Sequence, residues 1–245
     1  MIKCTFDGGF EFNKVHGFHG LSSMYPSDFY EDKGQTLDGT KYWLFIDMPE
    51  LIGRRKEEVK SAKEQGIKII SLFYDESRFP FVDTLVAEEL VDMFILFDKK
   101  YKDRFSVHTY ISDFYLSETP FPVFNNERNG KQCYFGHKLF GRTFPDKCKH
   151  IRGNTIKDVY YMASMHSKGY VTSEGKGEAG EVAYQNKAKY LEMLFCGLQV
   201  ECQNGIETFN YEQYKNRKIT ESDIEEMRKI NNKVKSDIFK QITSL

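Results

Sequence analysis

Short apolar runs alternate with amphipathic segments along the first half of the chain. Tyr42–Ile46 is a continuous apolar run typical of a buried strand, and residues 50–65 carry their charges on one side, which predicts a helix. Gly66 ends this helix, and the β-branched run at residues 67–74 predicts a second strand. The alternation continues with a helix at residues 84–91 and strands at residues 93–97 and 110–111. Such repetition predicts a parallel sheet covered by helices.

A similar pattern resumes after residues 118–131, whose Pro, Asn and Gly residues are typical of an interdomain linker. Strands are predicted at residues 132–136, 170–172 and 198–202, and helices at residues 155–167 and 186–196. Thr220 with Asp223 three residues later resembles a capping box, which predicts a last helix that runs to about Gln241.

Length and composition agree with two domains. The chain has 245 residues, of which 40% are hydrophobic, enough for a domain at residues 1–122 and another at residues 126–245. The net charge of -1 excludes a strongly basic nucleic-acid coat protein. Residues 1–122 carry 15 basic and 21 acidic side chains, whereas the remainder carries 20 basic and 15 acidic ones. A ligand that bears phosphate is therefore expected on the C-terminal half.

The sequence also predicts the compartment. Its apolar runs are far shorter than the roughly 20 residues that cross a bilayer, and Asp7 with the following glycines is unlike a signal peptide. The five cysteines are an odd number without a C-x-x-C pair, which indicates reduced thiols and neither a disulfide framework nor a zinc site. We expect a cytoplasmic protein without membrane contact.

Lys189 and Glu192 lie three residues apart on one face of a predicted helix that stops at Gly197. A glutamate can accept two hydrogen bonds from a ribose diol, and a lysine can bind a phosphate; the alternative is a surface ion pair before a glycine cap. The pattern K-x-x-E-x-x-x-x-G-x-x-V resembles the nucleotide-sugar-binding segment of glycosyltransferases with the GT-B fold. That resemblance implies that Glu192 binds the ribose, that Lys189 lies near it, and that Gly197 opens the turn into the next strand.

A glycine-containing basic loop follows the strand predicted at residues 132–136. Backbone N–H groups and an arginine in such a loop can hold a diphosphate, although a basic surface loop is the alternative. The segment resembles the corresponding loop of phage DNA β-glucosyltransferases, and Arg142 matches the second of their two arginines. The resemblance implies donor binding by Gly136, His137, Lys138 and Arg142.

Asp75 follows the strand predicted at residues 67–74 and is the candidate general base. The same phage enzymes have a similar strand followed by an aspartate, an arginine and an apolar-Pro-apolar run, which implies that Arg78 lies on the acceptor side. A solvated turn is the alternative interpretation of this segment. His16 or His19, in the glycine-containing N-terminal segment, is the competing base.

These resemblances together imply a compact GT-B glycosyltransferase in which two Rossmann-like domains face each other across a cleft. The implied reaction is an inverting single displacement that moves glucose from UDP-glucose to a hydroxymethylated pyrimidine of double-stranded phage DNA, in the host cytoplasm. No DxD-type acid pair is present, so we expect no obligatory metal, although a divalent cation can assist the leaving diphosphate. A monomer is expected.

Two other functions stay open on the sequence alone. The acidic N-terminal half suits a glycan or a small nucleoside as the acceptor at least as well as a DNA duplex. A non-catalytic module that binds a nucleotide or a nucleotide sugar is the third hypothesis.

Overall fold

The computed structural model describes residues 1–7, 13–73, 78–117, 128–135, 145–171, 189–202 and 209–245. These residues form an α/β protein with one six-stranded and one four-stranded sheet, and the strand pairs in both are parallel. The predicted α/β class is therefore confirmed, and each sheet is compatible with a Rossmann-like domain. The GT-B arrangement stays a prediction.

The first sheet has the strand order β2-β1-β3-β4-β5-β6. From β1 the chain moves to β2 on one side and then crosses to β3 on the other, so the topological switch point lies between β1 and β3. The strands are β1 (Ile2–Phe6), β2 (Phe29–Glu31), β3 (Tyr42–Ile46), β4 (Lys68–Leu72), β5 (Met93–Leu96) and β6 (His108–Ile111).

Four α-helices accompany the first sheet in the described residues: α1 (His19–Ser22), α2 (Pro49–Arg54), α3 (Lys56–Glu64) and α4 (Phe79–Ala87). The sequence predicted one continuous helix at residues 50–65. This prediction is wrong in one respect, because the helix is interrupted at Arg55, which has φ −107 and ψ 27. The helix expected at residues 84–91 starts earlier, with a proline in its first turn, and Glu89 beyond its end has a left-handed backbone with φ 55. A π-helix at Asn13–Phe18 and a 3₁₀-helix at Lys99–Tyr101 complete this part.

The core of the first sheet is built from its apolar strand residues and from the helices that cover them. Trp43 and Phe45 alternate with Leu44 along β3, so they share one face of the sheet and pack with Val59 of α3 and Phe94 of β5. Because side chains on both faces of β3 are buried, its sequence is a continuous apolar run.

The second sheet has the order β10-β9-β7-β8, which places its switch point between β7 and β9. Capping boxes open α5 at Thr155 and α7 at Thr220, where the Thr220 hydroxyl accepts from Asp223 N at 3.2 Å and the Asp223 carboxylate accepts from Thr220 N at 2.8 Å. The predicted start of the last helix is therefore confirmed. The elements are β7 (Gln132–Phe135), β8 (Lys149–Ile151), α5 (Ile156–Ser164), β9 (Lys168–Val171), α6 (residues 189–195), β10 (Gln199–Cys202) and α7 (Glu221–Thr243), with a 3₁₀-helix at Phe209–Tyr214.

The chain divides into two compact units, one of residues 1–117 with 232–245 and one of residues 118–231. Within the first unit the ring of Tyr25 stacks on Phe239 at 3.9 Å between centroids, and its hydroxyl donates to Ser236 Oγ at 3.2 Å. The Tyr42 hydroxyl donates to the carbonyl of Thr243 at 3.0 Å. The end of α7 is therefore part of the N-terminal core, a contribution that periodicity along the chain does not show.

No helix among the described residues is both long enough and apolar enough to span a lipid bilayer.

Candidate functional site

An aspartate follows every strand of the first sheet within three residues. Because the six strands are parallel, their carboxyl ends lie at one edge of the sheet, where ligands of open α/β folds bind. We call this the acidic edge; the aspartates that follow its strands in the sequence are Asp7, Asp32, Asp47, Asp98 and Asp113, together with Asp75, which lies outside the described residues. Sequence reasoning singled out one of these residues, Asp75, and missed the pattern, which becomes visible only once the strand ends are known.

Asp32 has a structural role. Its side chain is 3% exposed and forms ion pairs with Lys3 Nζ at 3.2 Å and with Arg55. The hydroxyl of Thr5 donates to Asp32 Oδ2 at 2.6 Å and itself accepts from Trp43 Nε1 at 2.9 Å. Asp32 therefore joins the end of β2 to β1 and to Arg55, the residue between α2 and α3, and is not available to a ligand.

Asp47 stands at the switch point of the first sheet. Its backbone is left-handed, with φ 57, and its N–H donates to the carbonyl of Leu72 at 2.6 Å. This conformation is uncommon for a residue with a side chain and turns the chain from β3 into α2. The strained residue thus lies where a ligand of this fold class binds.

Of the two candidate histidines, His16 lies in the π-helix after β1 and His19 is the first residue of α1. A Cβ on Gly17 would lie 2.4 Å from Ile46 Cγ2, so this segment packs directly on the end of β3. His16 is fully buried, whereas His19 is exposed. Partial removal of water around the ring, together with the charge of Lys14, lowers the pKa of His19 and favours the neutral imidazole that a general base needs.

Asp75 lies outside the described residues, three positions beyond the end of β4. Arg78 is described and forms an ion pair with Glu50 in the first turn of α2. The side chains of Arg78 and Glu50 are 29% and 10% exposed, so the pair is largely buried at the end of β3. The charge of Arg78 is therefore balanced within the protein, and its place on the acceptor side stays a prediction.

On the second sheet the basic loop begins at the switch point. Gly136, His137, Lys138 and Arg142 lie outside the described residues, but β7 leads into them and ends at Phe135. Because β7 lies between β8 and β9, the carboxyl end of β7 is at the edge position where open α/β sheets bind phosphates.

Lys189 and Glu192 come together as predicted for one helix face, with Nζ 2.8 Å from Oε2. The pair is not on the surface, because the Glu192 side chain is 1% exposed and that of Lys189 is 23% exposed. The ammonium group thus stabilises the buried carboxylate, whose desolvation without a positively charged partner would cost several kcal/mol, on the order of the penalty for a buried ion. Ribose binding by Glu192 stays a prediction.

Gly197 ends α6 in a left-handed conformation with φ 74, which confirms the predicted helix stop. Its N–H donates to Leu194 O at 2.7 Å, and Leu198 N donates to Met193 O at 3.1 Å. These two hydrogen bonds form a Schellman motif, in which a glycine avoids the strain that a Cβ would add.

Arg128 is a structural residue that sequence reasoning missed. Its guanidinium donates to the carbonyls of His166 at 3.2 Å, of Cys196 at 3.0 Å and of Gly197. It therefore satisfies orphan carbonyls at the ends of α5 and α6, and burial lowers its pKa. A single arginine in a loop offers no pattern from which this role could be predicted.

No three His, Cys, Asp or Glu side chains within the described ranges are grouped so that they could hold a metal ion. Comparison of the chain with protein-family models, with curated proteins and with solved structures finds no match.

Proposed function

We propose that the protein is a glycosyltransferase that uses a nucleotide sugar, with UDP-glucose as the proposed donor. One observation carries the proposal: the order of the second sheet puts the carboxyl end of β7, the strand that precedes residues 136–142 in the sequence, at the switch point between β7 and β9. A nucleoside diphosphate needs backbone N–H donors and cations at such a position. The excess of basic residues in this half of the chain supports the same assignment.

In the proposed reaction Asp75 takes the proton from the acceptor hydroxyl. The hydroxyl oxygen forms a bond to the anomeric carbon while the bond from that carbon to the diphosphate oxygen breaks, so the configuration inverts. Lys138 and Arg142 stabilise the negative charge that develops on the leaving diphosphate. A divalent cation bound by the diphosphate itself would act in the same way.

Two acceptors are consistent with this chemistry. The resemblance to phage DNA β-glucosyltransferases supports a hydroxymethylated pyrimidine in double-stranded DNA, which would be flipped out of the stack. The acidic edge favours the second candidate, a neutral glycan or a small nucleoside, because carboxylates repel a polyanion.

Incubation with UDP-glucose and either hydroxymethylated DNA or small hydroxyl acceptors tests the proposal. Mass spectrometry of the acceptor and measurement of released UDP are the two readouts. Glucose on DNA supports the first acceptor, and glucose on a glycan or a nucleoside supports the second. Donor binding without transfer to any acceptor would indicate a non-catalytic nucleotide-sugar module, and the absence of donor binding would refute the proposal altogether.

Asp75→Asn should lower the transfer rate by about 100-fold or more, because the acceptor would lose its base. The Kd of the donor should stay within about twofold of the wild-type value, because the substitution removes no diphosphate contact. Asp38→Asn is the matched control, because Asp38 is exposed and lies in the loop before β3. Full activity of Asp75→Asn would instead point to His19, which His19→Ala tests directly.

A further inference from the structure

His166 is a buried titratable residue to which the proposed reaction gives no role. It lies between α5 and β9, in residues 165–167, which we call the α5–β9 turn, and it is 4% exposed. Histidine is the side chain whose ordinary pKa lies near neutral pH, so its charge depends on the groups that surround it. The contacts of His166 therefore decide whether the turn responds to pH.

The hydrogen bonds of the His166 ring suit its neutral form. Nδ1 lies 3.0 Å from the carbonyl oxygen of Met162, and because a carbonyl oxygen only accepts, Nδ1 carries the proton. Nε2 is buried and has no hydrogen-bond partner within the described residues. It is therefore the bare nitrogen of the neutral ring. A second proton at Nε2 would create a buried charged donor without an acceptor, which is costly.

The charged groups close to His166 are cations. The Arg128 guanidinium donates to the His166 carbonyl at 3.2 Å. Burial, followed by the charges of Lys149 on β8 and Lys131 before β7, lowers the pKa of His166 and outweighs the hydrogen bond to Met162, which acts in the opposite direction. Neither ring nitrogen is hydrogen-bonded to a carboxylate in the part of the chain that the structure describes.

The other titratable groups on the neighbouring elements do not compensate for a charge on His166. Lys168, at the start of β9, is paired with Glu201 of β10 at 3.3 Å between Nζ and Oε1. Burial raises the pKa of the Cys196 thiol, at the end of α6, well above its ordinary value, so this thiol is neutral. A protonated His166 would thus be a buried cation beside other cations.

The α5–β9 turn connects several parts of the second unit. The N–H of Asn129 donates to the Met165 carbonyl at 3.2 Å, and the N–H of Gln199 donates to the Ser167 carbonyl at 3.0 Å. Arg128 extends these contacts to the end of α6, as described above. A change of structure at the turn therefore reaches the segment before β7 and the start of β10.

We propose that His166 is a pH-sensitive switch of the second unit. The neutral ring keeps the α5–β9 turn closed at neutral pH. Protonation adds a positive charge next to those of Arg128, Lys131 and Lys149, and the turn opens so that the ring reaches water. The inference does not depend on the proposed function, because it concerns the fold of this unit and no ligand.

The direction of the pH dependence follows from which form of the turn binds the proton more tightly. In the open turn His166 is solvated and has its ordinary pKa of about 6.5, whereas its pKa in the closed turn is lower. The stability of the closed turn is therefore full above about pH 6.5 and falls as the pH decreases towards the lowered pKa. One proton gives about a 10-fold increase of the opening equilibrium constant per pH unit in this range.

Hydrogen exchange of the full chain between pH 7.5 and pH 5.0, read by mass spectrometry, tests the proposal. The proteins are the wild type, His166→Asn and the control His108→Gln, which replaces an exposed histidine of β6. Asparagine does not titrate, and its amide nitrogen can donate to Met162 from the place of Nδ1. After correction for intrinsic exchange, the protection of residues 160–171 should fall about 10-fold per pH unit below about pH 6.5 in the wild type and in His108→Gln. His166→Asn should lose this pH dependence.

Nitrogen-15 NMR of the wild-type histidine rings gives a second measurement that needs no stable variant. At pH 6 the ring of His166 should still be neutral, with the proton on Nδ1. An ordinary titration of His166 near pH 6.5 overturns the proposal.

The exchange data contain two further outcomes that would overturn it. One is a pH dependence in His166→Asn that equals that of the wild type. The other is an equal loss of protection at residues 42–46 of the first unit, which would show general acid unfolding. A loss confined to the second unit and removed by His166→Asn supports the switch.

Discussion

Asp32→Asn should strongly destabilise the N-terminal unit. The substitution removes a carboxylate that is 3% exposed and that pairs with Lys3, whose side chain is itself 4% exposed. The ammonium of Lys3 would keep its position 4.2 Å from the centre of the Trp43 ring but would lose its acidic partner. Breaking a buried ion pair by removing one partner costs about 3–5 kcal/mol, most of it the desolvation of the charge left behind.

Glu58→Gln is the matched control, because Glu58 binds the same guanidinium, that of Arg55, from the solvent side. The Glu58 side chain is 60% exposed, so its loss should cost about 0–1 kcal/mol. Urea unfolding at pH 7 measures both free energies, and Trp43, the single tryptophan, reports fluorescence from within the cluster. The reasoning is refuted if Asp32→Asn costs no more than Glu58→Gln.

The pH dependence gives a second check on Asp32. Burial on its own raises the pKa of this carboxyl, but the hydrogen bonds from Thr5, Arg55 and Gly34 and the charge of Lys3 outweigh burial and hold the pKa below its ordinary value. A carboxyl with a depressed pKa stabilises the fold above its unfolded pKa, and this contribution is lost as the pH falls through the folded pKa. The stability difference between the wild type and Asp32→Asn should therefore be full at neutral pH and shrink below about pH 4. A difference that stays constant down to pH 2 would contradict this assignment.

Three further substitutions test the packing of the second unit. Arg128→Ala should lower the free energy of unfolding by about 2 kcal/mol, because carbonyls at the ends of α5 and α6 lose a charged donor; thermal unfolding measures it, and an unchanged midpoint would exclude the capping role. Gly153→Ala should cost about 1–3 kcal/mol, since the new methyl group meets the backbone nitrogen of Val159 at 3.0 Å. Gly169→Ala should cost less in the same urea titration, because its closest contact, at 2.7 Å, is the Sδ atom of the flexible Met193 side chain; equal costs would show that neighbour flexibility does not decide the effect.

A strand that is buried on both faces can be predicted from its continuous apolar run. Tyr42–Ile46 has the predicted bounds, and Lys68–Leu72 lies within its predicted range, because residues 43–46 and 69–72 are buried and all of them are apolar or small. Sequence analysis missed the three-residue strands Phe29–Glu31 and Lys149–Ile151. These short strands depend on pairing with β1 and β7, and a pairing partner distant in sequence leaves no local pattern.

Tertiary contacts also explain the interrupted helix. Residues 50–65 have helical periodicity throughout, but Arg55 leaves the helical conformation where its guanidinium binds Asp32. Helix propensity is a weak preference that a buried ion pair can override.

For the candidate site, local features were predictable and burial was not. Lys189 and Glu192 lie on one face of a helix, and this helix ends at Gly197. Both features are as predicted, because both depend on local helix geometry. The near-complete burial of Glu192 depends on residues far away in sequence. The same holds for His16 and His19, which look equivalent in the sequence and differ fully in exposure because one faces the core.

The last turns of α7 determine which of the two units can complete its folding first during synthesis. Ile238 and Ile242 are completely buried, and they belong to the unit whose other residues are 1–117. On the ribosome, that unit must therefore wait with an incomplete core while the whole of the other unit is translated. The segment made second can finish folding first, and the segment made first is completed only when residues 232–245 emerge.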